Sequence, residues 1–234
     1  MKGKVYLIPC PISDPGNFSI PSYVLPTLSR LKYYFVENER SARRYLKSMD
    51  PAIMIDQLEL YLINENHPPD LIKLKEILLS GKDIGIISEA GCPGIADPGN
   101  LVVREAHRLG ARVIPLVGPS SILLALISSG LNGQQFQFLG YLPVKPPERM
   151  QRLRELDIQV RKNNQTLIFM ETPYRNGQLI RDILETCQEG TSLCIAASIT
   201  GPQEFIRTLT IREWKMNIPV LGKVPAIFLL GQGI

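Results

Sequence analysis

The chain has 234 residues, of which 44% are apolar and 21% charged, and its formal net charge is +4. That balance supports a packed core and excludes a disordered chain, which needs low hydrophobicity and high net charge. The four cysteines (Cys10, Cys92, Cys187, Cys194) form no CxxC pair, and His67 and His107 stand far apart, so neither a zinc cluster nor a disulfide scaffold is expected.

Val5–Ile8 predicts a first buried strand. Lys2 and Lys4 before it, and Pro9-Cys10 after it, imitate a secretory signal, but the apolar stretch is far shorter than the ~7–15 residues of a signal core. No apolar run approaches the roughly 18 residues that span a bilayer, and the unpaired cysteines are expected to be reduced thiols of a cytoplasmic protein. A polar loop over Cys10–Ser22 precedes a helix at Tyr23–Leu31 and a strand at Tyr33–Val36. Ser41–Lys47 predicts a short helix with Ser41 as N-cap, and Leu60–Ile63 a strand. In Pro69–Leu79 the apolar residues Leu71, Ile72, Leu74, Ile77 and Leu78 follow a helical period, and Gly81 ends the helix. Ile84–Ile87 is a buried strand, Leu101–Leu109 a helix stopped by Gly110, and Val113–Leu116 a further strand.

Beyond Val117-Gly118-Pro119, Ser121–Leu131 predicts a helix and Phe136–Leu139 a strand. A polar stretch over Pro143–Arg149 leads into a charged helix ending near Arg161. Thr166–Met170 is a strand, Gln178–Gln188 a helix, and Leu193–Ala197, Glu204–Leu209 and Val224–Leu230 are strands. The alternation predicts an α/β fold of two α/β domains, 1–116 with a mostly parallel sheet and 117–234 with a mixed one.

Four loops carry candidate chemistry. Ser88–Gly99 packs glycines, prolines and the carboxylates Glu89 and Asp97 directly after a buried strand, so it must be a tight loop at a strand's carboxyl end, where open α/β sheets bind ligands. Read blandly, it is a structural turn. Pro115–Ser121 ends a strand in a Gly-Pro turn, with Ser120 placed either to cap the next helix or to face a polar ligand. Pro9–Asp14 lacks GxGxxG and a Walker lysine, which removes support for a dinucleotide or P-loop site. In Phe169–Pro173, Met170 is by default core and Glu171 a first-turn helix carboxylate.

Together these segments resemble the tetrapyrrole (corrin/porphyrin) methylase family, nearest to its small-subunit ribosomal RNA 2'-O-ribose methyltransferase I group. Leu7–Ile12 is similar to that group's "VPTPIG", Val36–Leu46 (VENERSARRYL) to its "EDTR" segment, and Ile87–Gly99 to its "SDAGTPGISDPG". Val113–Ser120 resembles "VVPLPGP", Leu139–Lys145 "GFLPAK", and Thr166–Pro173 "TLIFYESP". The likeness is colinear over nearly the whole chain. It implies two α/β domains with S-adenosylmethionine in the cleft between them, and a homodimer. The cofactor contacts it implies are Pro9, Glu89, Gly91, Ala96, Asp97, Ser120, Ser121, Met170, Ala197, Pro225 and Ala226.

A ribose hydroxyl is a poor nucleophile, so an RNA-acting member gains from a general base, for which the candidates are Glu39 and Glu89. Arg40, Arg43, Arg44 and Lys47 beside Glu39 are placed to meet phosphates of ribosomal RNA or a small-subunit precursor, or form a solvated helix face. Lys145, Arg149, Arg152 and Arg154 form a second basic stretch, expected to be a solvated face. The chain departs from the group's pattern in three places. Glu89 stands for the loop aspartate, Ala196–Gly201 (AASITG) replaces "ARELTK", and Asn64-Glu65-Asn66 is a remnant of "DHNE". The alternatives are therefore a methylase of a tetrapyrrole or other small molecule and a catalytically silent S-adenosylmethionine binder.

Overall fold

The structure, a computed structural model, describes residues 1–64 and 66–233. The chain divides into two compact units, Met1–Ser120 and Ser121–Ile234. The turn after residue 116 goes with the first unit, where the Val117 amide donates to Tyr23 Oη at 2.7 Å.

In the first unit the elements alternate: β1 (Lys4–Ile8), α1 (Leu25–Arg30), β2 (Tyr33–Val36), α2 (Glu39–Met49), β3 (Glu59–Leu62), α3 (Leu71–Leu79), β4 (Ile84–Ile87), α4 (Gly99–Arg108) and β5 (Arg112–Pro115). The strands form one parallel sheet in the order β3-β2-β4-β1-β5. A parallel sheet must be covered on both faces. Leu28 of α1 and Ala42, Tyr45 and Leu46 of α2 pack with Tyr6, Ile8, Tyr34 and Val36 on one face. Leu74, Ile77 and Leu78 of α3 and Val102 and Ala106 of α4 pack with Val5, Phe35, Ile84 and Ile86 on the other.

Two local expectations need correction here. The N-cap of α2 is Asn38, not Ser41: Asn38 is extended, and its side chain accepts from the Arg40 and Ser41 amides at 3.0 and 3.2 Å. Ser41 lies inside the first turn, where its hydroxyl donates back to Asn38 O. In α3 the period holds for Leu74, Ile77 and Leu78, which are buried, whereas Leu71 and Ile72 face solvent.

The second unit runs α5 (Ser121–Ser129), β6 (Phe136–Tyr141), α6 (Pro146–Asn163), β7 (Thr166–Glu171), α7 (Asn176–Thr186), β8 (Thr191–Ala197), β9 (Phe205–Thr210), α8 (Ile211–Met216) and β10 (Ala226–Gln232). Its sheet has the order β6-β7-β10-β8-β9, with only β6 and β7 parallel. Helix α8 has no counterpart in the sequence reading, although Thr210 and Glu213 form a reciprocal capping box that announces it. Its Trp214 is buried and donates Nε1–H to Leu193 O at 2.8 Å, which ties α8 to β8.

The basic stretch after Pro143 is also corrected. Lys145 and Arg152 make exposed i,i+3 pairs with Glu148 and Glu155, but Arg149 is buried. Its guanidinium donates Nε–H to Asp182 Oδ2 at 2.6 Å and Nη1–H to Pro143 O and Val144 O, so it locks the start of α6 onto α7.

Among the described residues, no helix is long and apolar enough to cross a membrane.

Candidate active site

The first unit's topology singles out one place for a ligand. The connections leaving β1 and β2 run over one face of the sheet through α1 and α2, whereas the connection leaving β4 runs over the other through α4. Strand β4 lies between β1 and β2, so the loops part at its carboxyl end and open a crevice there.

The loops around this crevice are stitched together. Cys10 and Gly91 exchange backbone hydrogen bonds of 2.8 and 3.1 Å, joining the loops after β1 and β4. Tyr45 Oη of α2 donates to Pro9 O at 2.7 Å. Cys92 Sγ lies 3.4 Å from Pro119 O, which adds the loop after β5. Burial pushes the thiols of both Cys10 and Cys92 up. Gly91 has φ +71, a conformation that lets the loop reverse without a side chain. At Gly118 the reason for glycine is proximity: a Cβ there would lie 2.0 Å from Pro9 Cβ. Gly118→Ala must separate the loops after β1 and β5. It is expected to cost the first unit about 1–3 kcal/mol, read as a lowered urea midpoint.

Pro9, Glu89, Gly91, Ala96, Asp97 and Ser120 all fall within the loops at this edge. Asp97 organises its own loop: its carboxylate accepts from the Gly94 and Gly99 amides, each at 2.7 Å, and Ala96 takes φ +60 between them. Glu89 is exposed at the carboxyl end of β4. Glu39, by contrast, opens α2 and pairs with Arg43 at 3.0 Å, with both side chains about half exposed. Arg40, Arg44 and Lys47 are exposed on the same helix.

Sequence reasoning missed Glu37. This residue directly follows β2, is partly buried, and accepts the Glu89 amide on Oε2 at 3.0 Å. Its sequence signal is its place in the VENER segment, two residues before Glu39. Burial, opposed by that hydrogen bond but reinforced by Asp97 and Glu89, raises the Glu37 pKa. Burial likewise raises that of Asp97 against its amide bonds. A carboxyl whose folded pKa is raised binds protons more readily in the native state. Its contribution to stability is therefore fully present below the unfolded pKa and is lost as pH rises through the folded value. Glu37→Gln should match the wild-type urea midpoint at about pH 4 and exceed it progressively towards neutral pH; a constant difference would refute this assignment.

The other residues implied by the resemblance lie in the second unit. Ser121 begins α5, while Met170, Ala197, Pro225 and Ala226 gather at one edge of the sheet. Ala226 pairs with both Glu171 and Ala197, Ile227 pairs with Met170, and the Ser198 amide donates to Pro225 O at 3.0 Å. Met170 is only partly buried, so it is not simply core. Glu171 is the last residue of β7, not a helix-turn carboxylate. Its buried Oε1 accepts from the Thr172 amide and from Arg175 Nε and Nη2, because β7 runs one residue further than its apolar pattern. The segment that departs from the group's charged pattern turns tightly, with Ser198 at φ 49 and Thr200 at φ 63. Beside it a cavity of about 390 Å³ is lined by Ala197, Ser198, Phe205, Arg207, Trp214 and Val224, among others. Of the remnant Asn64-Glu65-Asn66, Glu65 lies outside the described residues. No group of three or more His, Cys, Asp or Glu among the described residues could hold a metal ion.

A family model described as tetrapyrrole (corrin/porphyrin) methylases matches residues 35–215. The chain is 31% identical over 209 residues to the "Ribosomal RNA small subunit methyltransferase I" of Vibrio cholerae serotype O1, covering 89% of this chain and 69% of that protein. It is 34% identical over 228 residues to the protein of the same name from Halalkalibacterium halodurans, covering 95% and 74%. Among solved structures, the methyltransferase CobJ superposes with a TM-score of 0.62 at 18% identity, covering 99% of this chain and 95% of that one. Uroporphyrin-III C-methyl transferase from Thermus thermophilus, complexed with S-adenyl homocysteine, gives 0.55 at 17% identity, covering 98% and 97%. With both, the chain shares its fold.

Proposed function

Since the chain belongs to the tetrapyrrole (corrin/porphyrin) methylase family, and within it to the small-subunit ribosomal RNA methyltransferase I group, it is a methyltransferase, and we propose that it methylates a ribose 2'-oxygen of small-subunit ribosomal RNA using S-adenosylmethionine. The observation that carries the reading is the stitched carboxyl edge of the first unit, where Pro9, Gly91 and Gly118 bring backbone close together and Glu89 stands exposed beside them. The donor set suits the cofactor. Carboxylates at this edge match ribose hydroxyls and a cationic sulfur, and Met170, Ala197 and Ala226 are proposed, on the family resemblance, to meet the adenine and thioether. Pro9, Gly91, Ala96, Asp97, Ser120, Ser121 and Pro225 are proposed as its remaining contacts.

When bound, S-adenosylmethionine supplies an already activated methyl group. The protein's task is to hold the ribose oxygen in line behind it, and positioning alone can lower the barrier by about 7–11 kcal/mol. Glu89 would take up the proton of the ribose hydroxyl as that oxygen becomes the nucleophile. Glu39 is the weaker candidate, because its carboxylate is engaged by Arg43. The exposed Arg40, Arg44 and Lys47 of α2 suit RNA phosphates. We take the enzyme to be a homodimer, as the family resemblance implies, and cytoplasmic, in line with its unpaired cysteines.

The test is incubation of the purified protein with methyl-labelled S-adenosylmethionine and small ribosomal subunits that lack native methylation. Label in a 2'-O-methylated nucleotide is the expected result. Absence of label, with calorimetry still showing cofactor binding, would overturn the RNA substrate in favour of a small-molecule methylase or a silent binder.

A further inference from the structure

We propose that Glu37 is a positioning residue that acts through the backbone of Glu89 and holds the loop after β4 in its working shape. Glu37 follows the last residue of β2, and its amide donates to Ile87 O, the last carbonyl of β4, at 3.1 Å. Its side chain then returns to accept the Glu89 amide at 3.0 Å. The two bonds bracket Ser88, so the exit of the chain from β4 is fixed on both sides by one residue of the neighbouring strand. Within the loop itself, Ser88 Oγ donates to Ala90 O at 3.3 Å across Glu89. The Asp97 bonds organise the far end, and the Cys10–Gly91 bridge fastens the middle to β1.

The clamp comes at a cost, which argues for a role beyond folding. A partly buried carboxylate is placed near two others, Glu89 and Asp97, and near the Cys10 thiol. Like charges brought together oppose ionisation, and burial opposes it further. A neutral glutamine would accept the same amide without that opposition.

The catalytic part of this inference rests on the methyltransferase reading above; the structural part does not. The experiment compares wild type, Glu37→Ala and Glu37→Gln as full-length chains. Amide hydrogen exchange of the segment 88–99 is followed first. Glu37→Ala is expected to speed exchange there about tenfold or more, the scale of one lost hydrogen bond to a charged group, while Glu37→Gln restores protection. Unchanged exchange in Glu37→Ala, or equal loss in both variants, would overturn the clamp whatever the protein methylates. The same proteins are then assayed for methyl transfer to unmethylated small subunits, with the urea midpoint as a control. Glu37→Ala should lower kcat about tenfold without a matching loss of global stability. A kcat within twofold of wild type would overturn the positioning role. A wild type that transfers no methyl group would overturn the RNA reading and leave the exchange result to decide the clamp.

Discussion

Replacing Glu89 by glutamine is expected to lower kcat for RNA methylation by about 10²–10⁴-fold, the usual contribution of a general base. Glutamine has the shape of glutamate but cannot take up the hydroxyl proton at neutral pH. The substitution leaves the backbone amide that Glu37 accepts, so the loop keeps its anchor. Glu89 is exposed, and nothing in the core depends on its charge. Turnover should fall much further than cofactor-product affinity, a split that separates lost chemistry from lost binding. The measurement is steady-state methyl transfer beside calorimetry with S-adenosylhomocysteine. An unchanged kcat would show that the ribose hydroxyl is not deprotonated by Glu89.

Replacing Arg149 by alanine is expected to cost the second unit about 3–5 kcal/mol, the penalty for breaking a buried ion pair from one side. The side chains of Arg149 and Asp182 are 3% and 4% exposed and meet at 2.6 Å. Among the described residues Asp182 then retains only its bond from Gln178 Nε2, and the Pro143 and Val144 carbonyls lose a donor. For a chain of this size, each kcal/mol lowers the melting temperature by about 2–4 °C. The reverse variant, Asp182→Ala, should be equally harmful. Replacing both by apolar residues of similar volume should recover much of the loss, because the isolated charge, not the missing pair, carries the penalty. Urea denaturation followed by Trp214 fluorescence reports directly on this unit, since Trp214 is the only tryptophan and is buried between α8 and β8. A loss below about 1 kcal/mol would mean that the pair is not closed in solution.

The two residues show where reading along the chain succeeds and where it stops. Strands such as Ile84–Ile87 announce themselves because burial on both faces demands a continuous apolar run. Glycines and prolines then prohibit helix or strand over 88–98, so a loop at a strand's carboxyl end follows from local chemistry alone. The order of such segments, set beside the family's motifs, was enough to identify the methylase fold and its reaction class.

Local sequence could not rank the carboxylates. Glu37 and Glu39 are two residues apart in the same charged segment, yet one clamps the β4 loop and the other pairs with Arg43 on an exposed helix. The difference arises because β2 ends at Val36 beside β4, so residue 37 is still within reach of the neighbouring strand whereas residue 39 has already entered α2. Arg149 reads as one more cation on a charged helix until Asp182, 33 residues later, is brought against it. The glycine at 118 reads as a turn former until Pro9 approaches within a Cβ's radius. The sequence by itself determined most of the elements, their alternation and the edge proposed for the chemistry, because periodicity and backbone restriction are local properties. The tertiary structure alone decided which charges are buried and which loops touch, because desolvation and close approach depend on partners that are distant along the chain.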